Sequence, residues 1–462
     1  MIAALASPAE FAQIHFAFAQ LGDTRRSQRL LKIATGLAAN PGGTLPQAFP
    51  EWKELKAAYR FFNQRGVNFE SVIAPHLERT RQNCREPGEY LLIEDTTLLD
   101  YSKHWATEDL GVIGDGGGRG FELHSALAVR IEGWTLEQRP EGIVVGLFHQ
   151  QCHTPRPIPK GESRNQRLSR RRKSQKWAES IAWTGGPPSG TRWIFAGDRE
   201  ADCYETIEKL RRELVDFVIR ACQDRRLADE DSNHLRQKVA QAPLLGQKTV
   251  EVRSRGGEPA RTAIVEVRSV RVDLDGPWRP GGCRPPLKNV GVVEVREVNS
   301  PEGVKEPLHW LLLTSLPCAT WAEAQRVIGY YTGRWWVEEY HKALKSGATV
   351  EESQLQHAHR LEPLIAVLAV VAVRLLSTKL LARSRPDSFE AAASFGEEMI
   401  DILEKRFGKP KGGWTNRNVL VTTARLGGFP ARKRDGLPGW ITIWRGWHRL
   451  MWMCEGFELM NV

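Results

Sequence analysis

The chain has few of the features that mark an exported or membrane-bound protein. Its seven cysteines (Cys84, Cys152, Cys203, Cys222, Cys283, Cys318 and Cys454) form no CxxC pair and lie near no histidine at zinc-ligand spacing. That scatter argues against a disulfide framework or a cysteine zinc finger and suits reduced thiols in the cytosol. The N-terminus, MIAALASPAEFAQIHF, lacks a basic leader region and is interrupted by Glu10, against a signal peptide. The longest apolar run, Leu364 to Val373, stops at Arg374. Such a run is too short to cross a bilayer, so a buried core helix is expected and no membrane partner. No internal repeat is apparent. Acids are outnumbered, 55 against 65 Lys and Arg, giving a formal charge of +10. That excess points to an anionic partner, nucleic acid being the commonest, with a basic enzyme of other function as the alternative.

What is present is a soluble globular composition: 462 residues, 41% apolar and 26% charged, enough for roughly three domains. Sixteen tryptophans can serve packing or base stacking. Residues 1–65 read as helical, with one helix ending at Asn40-Pro41-Gly42-Gly43. A second helix is expected over Pro46 to Asn63, basic and without a large apolar stripe. Strands are expected at 90–101, 121–133, 141–151, 191–202 and 216–221. The segment 156–176 is dense in cations, including Arg170-Arg171-Arg172-Lys173, and reads equally as a DNA clamp or a solvated tail. From 224 to 310 alternating strands between Gly/Pro turns suggest a β insertion. A strand (309–316), a long helix (Trp321 to Ser346), the apolar helix and a Trp-rich helical end complete the pattern.

Chemistry concentrates in YYTGRWWVEEYHKALKSG, residues 330–347. Read as one helix, Tyr331, Arg334, Glu338, Lys342 and Lys345 fall at i, i+3, i+7, i+11 and i+14, on one stripe. A carboxylate bracketed by cations can hold a divalent metal while the cations grip a phosphate. The plainer reading is a solvated face with i,i+4 ion pairs. Asp95 and Asp198, at the ends of expected strands, join Glu338 to make three acids. Three suffice for a two-metal phosphodiester reaction, because Mg²⁺ keeps waters and takes other ligands from the substrate phosphate. Glu94, Asp100, Glu200 and Asp202 compete as ligands, and Asp198 could instead cap a helix. Glu339 competes with Glu338 but points about 100° off the stripe. His341 reads as a surface residue.

Tyr331-x2-Arg334-x3-Glu338-x6-Lys345 resembles the YREK signature of bacterial insertion-sequence DDE transposases, most nearly the transposase of transposon five. IEDTT around Asp95 and GDREAD around Asp198 resemble that family's two earlier acidic motifs. LGDTRRSQRL, ARLGGF (424–429) and the run of Trp440, Trp444 and Trp447 are similar to further family stretches, in the same order. The resemblance implies an α/β, RNase H-like mixed-sheet catalytic core over 66–375, with the β insertion at about 224–310. It implies an N-terminal helical DNA-end-recognition domain over 1–65 and a C-terminal helical dimerisation domain over 376–462.

The implied activity is cut-and-paste transposition through a DNA hairpin, with two Mg²⁺ (Mn²⁺ substituting) held by Asp95, Asp198 and Glu338. Tyr331, Arg334, Lys342 and Lys345 would bind phosphates, and Arg220 would contact DNA. Trp310 would stack a flipped base, although taken alone it reads as a core tryptophan. Arg25, Arg26 and Arg29 match the end-recognition region, and Tyr59 and Arg60 stand between DNA contact and packing. Implied partners are double-stranded terminal inverted repeats, target DNA and a second copy on paired ends, in the bacterial cytoplasm at the nucleoid. The C-terminal tryptophans read as core and dimer contacts. The match departs from the family at 156–176 and at Phe121-Glu122, leaving hairpin geometry open. Two other readings stand beside it: a catalytically inactive end-binding inhibitor, and a structure-specific RNase H-like nuclease without mobility.

Overall fold

Local signals set the helices that open the chain. The computed structural model describes residues 7–460 apart from 116, 157–160, 162, 164–174, 229–233, 253–258, 280 and 433. The Arg170–Lys173 run therefore lies outside the described residues. Helices α1 (Pro8–Phe16), α2 (Thr24–Ala39), α3 (Leu45–Ala48), α4 (Trp52–Phe62) and α5 (Phe69–Asn83) come first. The expected single helix over 46–63 is two. Pro50 has no N–H and forces Phe49 out of the helical region, to φ −134° and ψ 78°. Nor is α4 free of an apolar stripe: Leu55, Ala58, Phe61 and Phe62 are buried. Lys53, Lys56 and Arg60 take its exposed side.

The central sheet begins with β1 (Gly88–Asp100), β2 (Gly111–Ile113), β3 (Gly118–Trp134) and β4 (Pro140–His153). After α6 (Gln175–Thr184) come β5 (Thr191–Gly197), α7 (Tyr204–Arg212) and β6 (Asp216–Arg220). β1 pairs antiparallel with β3, which pairs antiparallel with β4. On its other side β1 runs parallel to β5, and β5 parallel to β6. Alternation buries both faces of β1. Leu91 and Ile93 enter one core with α5 and the later helices, while Tyr90 and Leu92 enter a second with Trp177, Ile181, Tyr204 and Ile207 of α6 and α7.

The β-rich segment joins the central sheet. After α8 (Leu235–Ala240) run β7 (Leu244–Val252), β8 (Arg261–Leu274), the short β9 (Trp278–Arg279) and β10 (Gly282–Cys283), β11 (Leu287–Val298) and β12 (His309–Thr314). β12 slots antiparallel between β6 and β11, so β11, β8 and β7 extend the same sheet. Ladder hydrogen bonds along β6 are thereby completed on both edges.

The long helix expected over 321–346 is jointed. α9 (Trp321–Gly333) starts at a Thr320–Glu323 capping box, and α10 (Trp335–Lys342) follows at Arg334. There the backbone tightens to i,i+3 bonds, Arg334 N–H to Tyr331 O at 3.1 Å and Val337 N–H to Arg334 O at 3.2 Å. Gly333 rides directly on β1, since a Cβ there would meet Leu91 at 2.8 Å. Residues 343–347 then widen into one π turn.

α11 (Ala358–Ser384) is the core spine. By length and composition it could span a membrane, yet it is enclosed by the fold. Arg374 ends the apolar run but not the helix. Arg374 is buried within the helix, its guanidinium 5.2 Å from the Phe11 ring centroid. Helices α12 (Glu390–Phe407), α13 (Asn416–Leu426) and α14 (Trp440–Met460) close the chain. Trp440, Trp444 and Trp447 are buried, the first two stacked at 5.7 Å. N-terminal and C-terminal helices share the α11 core.

Candidate active site

Register alone lines up the first two acids. Ile93 pairs with Ala196, and Ala196 with Val218. Two residues on stand Asp95, which does not end its strand because β1 runs on to Asp100; Asp198, the residue after β5; and Arg220, the last of β6. Equal parity puts them on one side of the sheet, with neighbouring strands about 4.8 Å apart. Asp95 continues the Leu91–Ile93 face beneath α10. The Thr96 N–H donates to Asp95 Oδ1 at 2.8 Å, fixing that carboxylate. Asp198 also caps the short turn after β5, its Oδ1 accepting from Glu200 N–H at 2.8 Å. The capping and ligand readings are therefore compatible.

Arg334 ties the third acid to the first. Its guanidinium reaches Asp95 Oδ2 at 3.3 Å and also donates to Glu338 Oε1. All three groups are largely enclosed, with side-chain exposures of 16% (Arg334), 17% (Asp95) and 27% (Glu338). Burial, with help from nearby Asp198 and Glu338, pushes Asp95 up to about 6 against the pull of Arg334. Hard carboxylate oxygens crowded until they repel are a donor set for a divalent cation, and the guanidinium fills that place electrostatically. Asp95 and Glu338 thus share one cation, with Asp198 on the adjoining strand, and hard oxygen donors of this kind suit a divalent metal such as Mg²⁺ or Mn²⁺.

The competing acids have other partners. Glu94 faces the opposite side, accepting from Ser180 Oγ at 2.8 Å and lying 3.1 Å from His124 Nε2. Burial raises it to about 8. Asp202 is buried against Arg225 at 2.6 Å, and Asp100 accepts from the Ser102 N–H. Glu200 lies on the surface, 3.3 Å from Lys176. Glu339 joins three helices, bound by Lys379 at 2.6 Å, Lys342 at 3.2 Å and the Trp440 indole at 3.0 Å. Burial opposes its ionisation, but the two lysines hold it down to about 2.

The expected cationic stripe fans out at the joint and the π turn. Tyr331 is buried, its ring 5.2 Å from half-buried Trp310, with Arg220 near its hydroxyl. Arg220 donates to His309 O at 2.9 Å. Lys342 leaves Glu338 for Glu339 and lies over the Trp335 ring at 4.5 Å. Lys345 donates to Leu98 O at 2.5 Å and pairs with Glu351 at 3.1 Å. His341, expected on the surface, is buried because Val337, Tyr340 and Leu344 share its inward stripe. Sequence reading missed the buried Glu94–His124–Ser180 group behind Asp95; the alternation of β1 was the available signal.

At the N-terminus, Arg25 is exposed beside Asp23, whereas Arg26 reaches Leu21 O and Arg65 O and Arg29 pairs with Glu54 across α2 and α4. Tyr59 packs partly into the core and Arg60 is exposed. Residues 8–67 match the family model described as transposase DNA-binding. The match covers α1 to α4. It supports DNA as a partner of this chain.

Proposed function

We propose that the chain is a DNA transposase of the DDE, RNase H-like class that works by cut-and-paste. The observation that carries this reading is the meeting of Asp95, Glu338 and Arg334, with Asp198 on the adjoining strand end, in a chain bearing a transposase DNA-binding domain. The strand order β4-β3-β1-β5-β6, with β1, β5 and β6 parallel, supports an RNase H-like core. Asp95, Asp198 and Glu338 would hold two Mg²⁺ ions, which when bound supply Lewis acidity for activating water or a 3′-hydroxyl.

The chain's own groups do the rest. Thr96 N–H and the Glu200 N–H hold the Asp95 and Asp198 carboxylates in fixed orientation. Arg334 keeps the acids together before DNA arrives and is free to turn to a phosphate when they are otherwise neutralised. Trp310, half-exposed against Tyr331, offers an indole face to a flipped base, as a hairpin requires. Nicking, hairpin formation, hairpin opening and strand transfer are then successive in-line displacements at one set of carboxylates. Pairing of two copies on two ends completes the proposal.

Glu338→Ala should abolish Mg²⁺-dependent nicking of terminal-repeat DNA while mobility shifts by that DNA persist. Ordinary nicking by the variant sinks the metal role. Equal cutting of unrelated duplexes, without a paired-end complex, would favour a nuclease without mobility.

A further inference from the structure

We propose that Glu108, Asp109 and His357 form a second divalent-cation site, of the zinc class, distinct from the cluster of acids at Asp95. One ligand atom from each of the three lies within 4.8 Å of the others. His357 Nδ1 is 3.3 Å from Glu108 Oε2 and 3.6 Å from Asp109 Oδ2. Zinc–nitrogen and zinc–oxygen bonds of about 2.0–2.2 Å arranged as a tetrahedron give edges of roughly 3.3–3.6 Å. A charge-assisted hydrogen bond would instead draw one carboxylate in to about 2.7–2.9 Å. Two carboxylates flank one imidazole nitrogen, both at ligand-edge distance and neither drawn in as close as a charge-assisted hydrogen bond.

The frame that holds these groups is rigid. Glu108 N–H donates to Gln356 O at 2.7 Å, and Ala358 N–H returns a bond to Glu108 O at 3.0 Å. Thr107 Oγ1 adds a third tie to Leu355 O at 2.9 Å. Adjacent side chains of an extended strand point to opposite sides. Glu108 and Asp109 converge on one ring because Asp109 takes a φ of 63°, which aspartate tolerates. The His359 ring stacks on His357 at 5.3 Å and lies exposed within electrostatic range of Asp109. It or a water can supply the fourth ligand.

The donor set decides the metal. Imidazole with carboxylates suits Zn²⁺, Ni²⁺ or Co²⁺, whereas Mg²⁺ prefers oxygen alone. An ion here would staple the segment that leaves β1, and so Asp95, to the segment that leaves the π turn after Glu338. Its role is structural, and the inference is independent of the transposase reading.

The test is calorimetric titration of the full chain with Zn²⁺ in excess Mg²⁺, with melting followed in parallel. Wild type should take up a Zn²⁺ ion that Mg²⁺ does not displace and should melt higher. His357→Gln and Glu108→Gln should each weaken that uptake on the order of 100-fold, at least the loss seen on disturbing a metal site's supporting groups. Glu108→Gln alters an exposed side chain and so serves if His357→Gln misfolds. No uptake by wild type overturns the site. Undiminished uptake by Glu108→Gln also overturns it, because the ion would then sit elsewhere, for instance on thiols.

Discussion

Arg334 is the sharpest handle on the candidate site. Replacing it with methionine keeps much of the volume and removes the cation that touches Asp95 and Glu338. At 3.3 Å and an effective dielectric near 20, one such attraction is about 5 kcal/mol before desolvation. Enclosure of the guanidinium offsets much of that, and stripping one partner from an enclosed pair costs about 3 kcal/mol net. Arg334→Met should therefore melt well below wild type in EDTA at neutral pH. Excess Mg²⁺ should then close most of the gap, because the ion neutralises the same oxygens without first displacing an arginine. Ligand at about a hundred times its Kd supplies about 2.7 kcal/mol, the size of the deficit. Scanning calorimetry of both proteins, with and without Mg²⁺, measures it. Equal stability in EDTA would refute the bridging role, and an identical Mg²⁺ response in both proteins would refute a shared cation position.

Further tests probe the other links. Lys53→Ala, Lys56→Ala and Arg60→Ala combined should weaken terminal-repeat binding and flatten its dependence on log salt by close to three phosphate contacts, at about 0.9 per contact; an unchanged slope would place the DNA on another face. Glu339→Gln should lower the melting temperature, since it loosens the bonds from Lys379, Lys342 and Trp440, yet leave nicking intact; loss of nicking in a stably folded variant would exchange the roles of the two glutamates. Burial holds His76 down to about 3, so it stays neutral in the fold but takes a proton near pH 6.5 when unfolded. Its contribution is fully present above pH 6.5 and is lost as pH falls, at about 1.4 kcal/mol per unit. His76→Gln should make acid destabilisation between pH 6.5 and 5 shallower by one proton, and an unaltered slope would show that His76 does not titrate there.

Much of this could be read from residues, and the failures have physical causes. Short apolar runs rich in β-forming residues marked β1 and β5, so the acids that follow each run were visible beforehand. That Asp95 and Asp198 share a row was not, because parallel register is set by tertiary pairing. Pro50 carried enough information to split the 46–63 helix, as did the Val337–Tyr340–Leu344 stripe to bury His341. How the β-rich segment at 224–310 joins the sheet was not legible, because β12 returns from far along the chain to pair with β6, a nonlocal contact that no local pattern encodes. Arg334 was only half legible. A helix wheel puts it beside Glu338 and suggests a phosphate contact, but only the fold shows Asp95 arriving opposite. The choice of Asp95 over Glu94 then follows from strand geometry alone. Sliding β1 by one residue would turn Glu94 toward Arg334 and Glu338 and drive Asp95 into the buried pocket of His124 and Ser180. The apolar run Leu91-Leu92-Ile93 is buried on both faces and sets no parity, so it is the cost of burying a charged aspartate without a cation in that pocket that opposes the slip.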